Sequence, residues 1–257
     1  MSESRRVMLV TGSTDGIGKQ IALGLAKGGA HVFVHGRSRP KVDAAIADLE
    51  EEAPGASFEG ISFDLGSLAS VKKGAAELVE KTQRLDVLVC NAGIFAPERV
   101  VTADGAELTL AVNHVGHFVL ERLLEPMLVA AAPGRVIVLS SVAHTRGRIH
   151  LDDLTLGKGY TGYAAYAQSK LANVMFALSL AEKHPPTELL AYALHPGVVA
   201  TKLLRQGFGP VPGARPEHGA KSAIDLALSE PPMAETGAYY FCPAAKNGRP
   251  DLRALAA

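Results

Sequence analysis

Short apolar runs alternate with segments whose apolar residues recur every three or four positions, and this alternation leaves few folds open to the chain. The run at 7–10 is apolar throughout. Behind it, Gly12-Ser13-Thr14-Asp15-Gly16-Ile17-Gly18 opens a segment in which Ile17, Ile21 and Leu25 repeat at helical spacing, ending at Lys27-Gly28-Gly29. Further apolar runs at 31–35, 57–63, 85–90, 135–139, 189–194 and 239–242 read as strands. Val42, Ile46 and Leu49 mark a helix with Pro40 near its first turn, and Leu68, Val71, Ala75 and Leu78 mark another. Long helices are expected from about 104 to 125 and over 163–183, the second stopped by Pro185-Pro186.

Strands that short and that apolar are buried on both faces, and the helices between them supply the cover. The expected fold is α/β: a single doubly wound Rossmann-type domain over residues 1–257, with a seven-stranded, mostly parallel sheet and helices on both faces. No linker, internal repeat or low-complexity segment interrupts it, and the Gly/Pro-rich stretch 207–216 is its most loop-like part.

Charge excludes some partners. The 26 basic and 26 acidic residues balance to a formal net charge of zero, and no basic stripe rises above Arg5-Arg6, so no nucleic acid is expected. Two cysteines, Cys90 and Cys242, are too few for a disulfide framework and read as buried thiols in a reducing compartment. The first six residues run straight into a strand without an apolar region of signal-peptide length, and the longest uncharged stretch, 108–120, is too short for a bilayer. A cytoplasmic protein with no membrane contact is the expectation.

Two motifs point to chemistry. Glycines in the first βα turn of such a sheet let the backbone approach a pyrophosphate at a helix N-terminus. Farther on, Tyr166 and Lys170 stand four apart, on one face of a helix, where an ammonium would lower the phenol pKa and fit it for proton transfer. Ser140-Ser141 follows the fifth strand, whose C-terminal end points into the ligand crevice, so a hydroxyl there can hold a carbonyl. At the end of the second strand, where an acid would take the ribose hydroxyls of NAD, stand Gly36, Arg37 and Ser38. Gly36 leaves space and no negative charge, and Arg37 can bind a 2′-phosphate, which favours NADP(H) over NAD(H). The bland alternative for Arg37 is a surface charge. Lys19 is a weaker phosphate candidate. His114 and His117 lack the H-E-x-x-H pattern, so no metal site is read from them.

The G-x-x-x-G-x-G spacing behind Thr11, with Tyr166-x-x-x-Lys170, resembles the short-chain dehydrogenase/reductase family. Asn113-His114-Val115-Gly116-His117-Phe118, Ser140-Ser141-Val142-Ala143-His144 and the segment from Ala165 to Asn173 resemble its retinol-dehydrogenase-like and protochlorophyllide-reductase-like branch. The resemblance implies catalytic roles for Asn113, Ser141, Tyr166 and Lys170, with Ser140 the alternative serine and Tyr160 and Tyr163 packing or lining a pocket. It implies cofactor contacts from Gly12, Asp15, Gly16, Ile17 and Gly18, from Asp64 and Leu65, from Asn91, Ala92 and Gly93, from Tyr166 and Lys170, and from Pro196, Gly197, Val199 and Thr201. The family often has Asn where this chain has Cys90.

The activity implied is NADP(H)-dependent interconversion of a carbonyl and an alcohol, with Tyr166 as general acid/base. Reduction of an activated C=C bond and a non-catalytic NADP(H) sensor are the alternatives. A loop near 202–219, apolar at Leu203, Leu204, Phe208 and Val211, is expected to meet a hydrophobic or aromatic substrate. Apolar surface at Leu171, Val174, Met175, Leu178 and Ala181 points to a homodimer or homotetramer.

Overall fold

A computed structural model of the chain describes residues 5–230, 232, 235–241 and 253–254. Eight strands form one sheet in the order β3-β2-β1-β4-β5-β6-β7-β8. These are β1 (Val7–Val10), β2 (His31–Gly36), β3 (Ser57–Ser62), β4 (Val87–Cys90), β5 (Gly134–Leu139), β6 (Leu189–His195), β7 (Tyr239–Phe241) and β8 (Arg253–Ala254). The first seven pair in parallel, and β8 adds a short antiparallel edge beyond the seven expected. Cys242, read as the end of the seventh strand, lies outside the described residues.

Two apolar layers sandwich the sheet. One packs α1 (Gly16–Lys27), α2 (Arg39–Glu52) and α8 (Pro216–Leu228) against β1, β2 and β6 through residues such as Ile21, Leu25, Val42 and Leu226. The other packs α3 (Leu68–Lys81), α5 (Gly116–Ala130) and α6 (Gly162–Lys183) through Leu78, Leu120, Leu124 and Phe176. All residues of β5 and β6 are buried, including Arg135, whose guanidinium donates to the Leu226 and Ala227 carbonyls.

The long helix expected at 104–125 differs in form. Asp104 and Gly105 make a turn, with Gly105 at φ +83°. The buried Glu107 carboxylate then accepts from Thr109 and Leu110 N–H and starts the three-residue α4 (Leu108–Leu110). A π-helical turn at Ala111–Val115 follows before α5. Pro126 does not stop α5: it sits on the exposed face, where the carbonyl it frees can meet water. The stretch 202–219 is also more ordered than a loop. It holds the short helix α7 (Lys202–Phe208) and the first turn of α8, joined by the segment 209–215.

Strand order reverses between β1 and β4, and the crevice that holds the candidate site lies at the C-terminal ends of the strands there.

Candidate active site

A cavity of about 650 Å³ opens at the C-terminal ends of the strands. The glycine turn forms its floor. Gly12 takes φ +63°, and a Cβ there would lie 2.8 Å from the Ala92 backbone. At Gly18 a Cβ would come within 2.4 Å of Asn91 Nδ2 and closer still to the Gly12 carbonyl. Both glycines are demanded by close approach of the turns after β1 and β4.

Buried side chains lock those turns together. The Thr11 hydroxyl oxygen accepts from Asn91 N–H and Ala92 N–H, both at 3.0 Å. It lies 2.8 Å from His117 Nε2. His117 Nδ1–H donates to the Asn113 carbonyl at 3.1 Å, and burial holds this ring neutral, its pKa driven to about 3. Nε2 is therefore the acceptor, and Thr11 donates to it. The Asn91 side chain donates to Thr11 and Gly12 carbonyls at 2.8 and 3.2 Å. On the other side, Gly12 N–H donates to His35 Nδ1 at 3.1 Å, which leaves the Nε2–H of His35 to donate to the Phe63 carbonyl at 3.0 Å. Burial pushes His35 down to about 4. Neither histidine was read as a site residue from sequence; the signal for His35 is a polar residue inside the apolar run of β2.

Of the residues expected at the cofactor, Gly12, Asp15, Gly16, Ile17, Gly18, Arg37, Asp64, Leu65, Asn91, Ala92, Gly93, Pro196, Gly197, Val199 and Thr201 all line the cavity. Ser38 does not. It stands at the N-cap position of α2 without a side-chain capping bond. Arg37 is exposed and, among the described residues, makes no ion pair or hydrogen bond. Lys19, by contrast, does not line the cavity and pairs with Asp48 at 2.7 Å. The space expected at Gly36 is already filled, because a Cβ there would lie 2.7 Å from the Thr14 methyl. Gly36 is thus required by packing whichever ribose is bound.

The catalytic candidates meet at the other end of the cavity. Ser141, Tyr166 and Lys170 line it. Ser141 follows β5, and its oxygen accepts from Ala143 N–H at 3.2 Å. Ser140 turns away, donating to the Lys170 carbonyl at 2.7 Å, which separates the two serines. Burial lifts the Tyr166 phenol to about 12, with the nearby Ser141 hydroxyl opposing. The expected lowering by Lys170 does not prevail in this geometry. The Lys170 ammonium is 5.6 Å from the Tyr166 ring centre and donates to the Leu139 carbonyl at 3.0 Å. Burial brings Lys170 itself down to about 8.

Asn113 does not line the cavity. Its side chain is fully buried in the π-helical turn, accepting from Ile94 N–H at 2.8 Å and donating to the Ile94 carbonyl and Ser169 Oγ. His114 packs against Phe118 and Phe176 beside Asn173. Among the described residues, no group of three or more His, Cys, Asp or Glu could hold a metal ion. Tyr160 bonds the Ala96 carbonyl at 2.8 Å, a packing role, whereas Tyr163 lines the cavity. His195, at the end of β6, also lines it, with a buried Nδ1 that has no hydrogen-bond partner among the described residues.

An aromatic cluster roofs Tyr166. Phe208 of α7 lies 5.7 Å from Phe95, 5.9 Å from Tyr166 and 6.2 Å from Tyr163, measured between ring centres. Leu203, Leu204, Val142 and Val211 continue the apolar wall.

Residues 6–208 match the short chain dehydrogenase family. The chain belongs to that family. It is 38% identical to human retinol dehydrogenase 13 over 251 residues, covering 92% of this chain and 76% of the relative. It is 39% identical to human dehydrogenase/reductase SDR family member 13 over 253 residues, covering 91% of this chain and 65% of that one. The chain thus spans about two thirds to three quarters of the length of these relatives. Among solved structures, the Pseudomonas aeruginosa RhlG/NADP active-site complex superposes with a TM-score of 0.75 at 28% identity, covering 96% of this chain and 97% of that one. A Beutenbergia cavernae protein described as an NAD(P) dependent gluconate 5-dehydrogenase, with bound NADP, gives 0.73 at 29% identity over 93% of this chain and 96% of its own. This short chain dehydrogenase is an oxidoreductase of the retinol-dehydrogenase-like branch, whose fold binds a nicotinamide cofactor and which acts on small molecules. No helix among its described residues is long and apolar enough to cross a membrane.

Proposed function

We propose that this short chain dehydrogenase interconverts an apolar ketone or aldehyde and its alcohol, using NADP(H). The observation behind the reading is that Ser141, Tyr166 and, one helical turn on, Lys170 line one end of a cavity that starts on a glycine turn. The residues present fit a dinucleotide: a close-approach glycine cradle before α1, and the unpaired Arg37 guanidinium in the cavity wall where β2 ends.

When bound, the cofactor supplies or accepts the hydride. The protein does the rest. The first-turn amides of α1 and the turn Gly12–Gly18 would receive the pyrophosphate, Arg37 would take the 2′-phosphate, and Asp64 and Leu65 would hold the adenine end. Asn91, Ala92, Gly93, Pro196, Gly197, Val199 and Thr201 would hold the nicotinamide half, and Lys170 and Tyr166 its ribose. Ser141 Oγ and Tyr166 Oη hold the substrate oxygen, and the phenol gives up its proton as negative charge builds there. A phenol near 12 stays protonated at neutral pH, which suits the reducing direction. The Asn113 side chain is committed to Ile94 and Ser169, so its part is to hold the loop after β4 against α6. The wall of Phe208, Tyr163, Leu203, Leu204 and Val211 favours a hydrophobic substrate. Exposed Phe118 and Leu123 on α5, with Met175 and Leu178 on α6, support association of two or more copies through these helices.

The test is NADPH oxidation with a panel of ketones, aldehydes and enones, followed by product analysis. Tyr166→Phe should cut turnover by about two orders of magnitude or more while NADPH still binds. Near-normal turnover in the folded variant removes Tyr166 from the mechanism, and a saturated carbonyl product replaces carbonyl reduction with C=C reduction.

A further inference from the structure

Lys202 opens α7 and lines the same cavity as the glycine turn. Its ammonium bonds Asp15 Oδ2 at 2.5 Å, joining groups 187 positions apart in the chain. Asp15 is the N-cap of α1, and its other oxygen accepts from Gly16 N–H at 2.8 Å. A carboxylate of the chain itself thus sits at the positive end of α1, with a cation held over it. That is the charge arrangement an anion at this place would need.

The segment that carries Lys202 is built to hold it there. Ala200 N–H donates to the Ala214 carbonyl at 2.9 Å and Ala214 N–H to the Val198 carbonyl at 2.8 Å, pairing its two limbs. Thr201 caps α7 and reaches the glycine turn, its methyl 3.7 Å from where a Cβ on Gly16 would stand. At the far end Phe208 rests on Phe95 and Tyr166. Most of the Lys202 and Asp15 side chains still faces solvent, so their ion pair alone adds little to stability and can be exchanged for another.

We propose that Lys202 is a cofactor-positioning residue that clamps the dinucleotide pyrophosphate, with Asp15 as the stand-in anion it leaves when the pyrophosphate arrives. The proposal rests on the dinucleotide reading above. A pyrophosphate at the α1 N-terminus repels the Asp15 carboxylate and offers the ammonium two negative charges in place of one. The exchange keeps the segment 198–215 over the cofactor, and with it Phe208 over Tyr166.

Calorimetric titration of the full chain separates the possibilities, using ADP-ribose, NADH, NADPH and adenosine 2′-monophosphate, which has a phosphate but no pyrophosphate. Lys202→Met should weaken ADP-ribose, NADH and NADPH alike, by about tenfold at low salt and less at high salt. It should leave adenosine 2′-monophosphate unchanged. Lys202→Arg should restore most of the loss. Asp15→Asn, which keeps a capping side chain, should tighten ADP-ribose by removing the competing anion. ADP-ribose affinity within twofold of wild type in Lys202→Met overturns the clamp, as does a loss shared equally by adenosine 2′-monophosphate. Wild-type protein that binds neither ADP-ribose nor NADPH overturns the dinucleotide reading itself, and the clamp with it.

Discussion

The two sides of the cavity are held by different forces. The floor, made by the turns after β1 and β4, is tied by hydrogen bonds from the buried Thr11, His117 and His35 to the partly buried Asn91 and the backbone of Gly12 and Ala92. The roof, made by residues 198–215, is tied by an exposed ion pair at one end and ring contacts of a partly exposed Phe208 at the other. Buried polar groups have no water to fall back on, so the floor has one arrangement. Exposed pairs and ring edges exchange partners cheaply, so the roof can rearrange. A site built this way presents the cofactor with a preformed seat and leaves the substrate side adjustable.

Thr11→Val breaks the floor with almost no change of shape. It strips Ala92 N–H and His117 Nε2 of their buried partner and should cost about 2–3 kcal/mol in urea unfolding. An unchanged midpoint would show that the floor is no more tightly held than the roof.

The same helix that supplies His117 carries, one turn on, a buried group that is not satisfied. Both carboxyl oxygens of Glu121 are buried without a hydrogen-bond partner among the described residues, and burial, with Glu125 beside it, lifts the pKa to about 7. A carboxyl raised above its unfolded value binds more protons folded than unfolded, so stability falls as pH rises from about 4.5 to 7 and stays low above that. Glu121→Gln should flatten this slope and gain roughly 2–3 kcal/mol at pH 8. Melts at pH 5 and pH 8 check it; equal gains at both pH values would reject the assignment.

Arg37 stands between floor and solvent with no internal partner among the described residues. Arg37→Ala should weaken NADPH by about tenfold and leave NADH unchanged. Equal wild-type affinities for the two cofactors by fluorescence titration would make Arg37 a surface charge.

The smallest stability effect belongs to the roof. Phe208→Ala should change unfolding free energy by less than about 1 kcal/mol, since the ring is already partly exposed, yet raise KM for bulky apolar carbonyls more than for small ones. A loss as large as that of Thr11→Val would erase the difference between the two regions.

Much of this protein follows from residue order alone. Alternating apolar runs determine a parallel sheet covered on both faces, because no other arrangement buries strands such as β5 and β6 completely. The glycine turn, the Tyr166–Lys170 spacing and Ser141 after β5 are local patterns, so they were legible without a structure. What the tertiary structure decided is what distant residues do to one another. It moved Asn113 off the cavity wall and filled the space beside Gly36 with Thr14. It set burial above Lys170 as the main influence on Tyr166, and it turned half of the expected substrate loop into a helix whose first residue meets Asp15. Spacing along a chain reports which side chains share a helix face or a strand end. Desolvation and contacts across the fold depend on the depth and packing of segments far apart in sequence, and these exist only once the chain has folded.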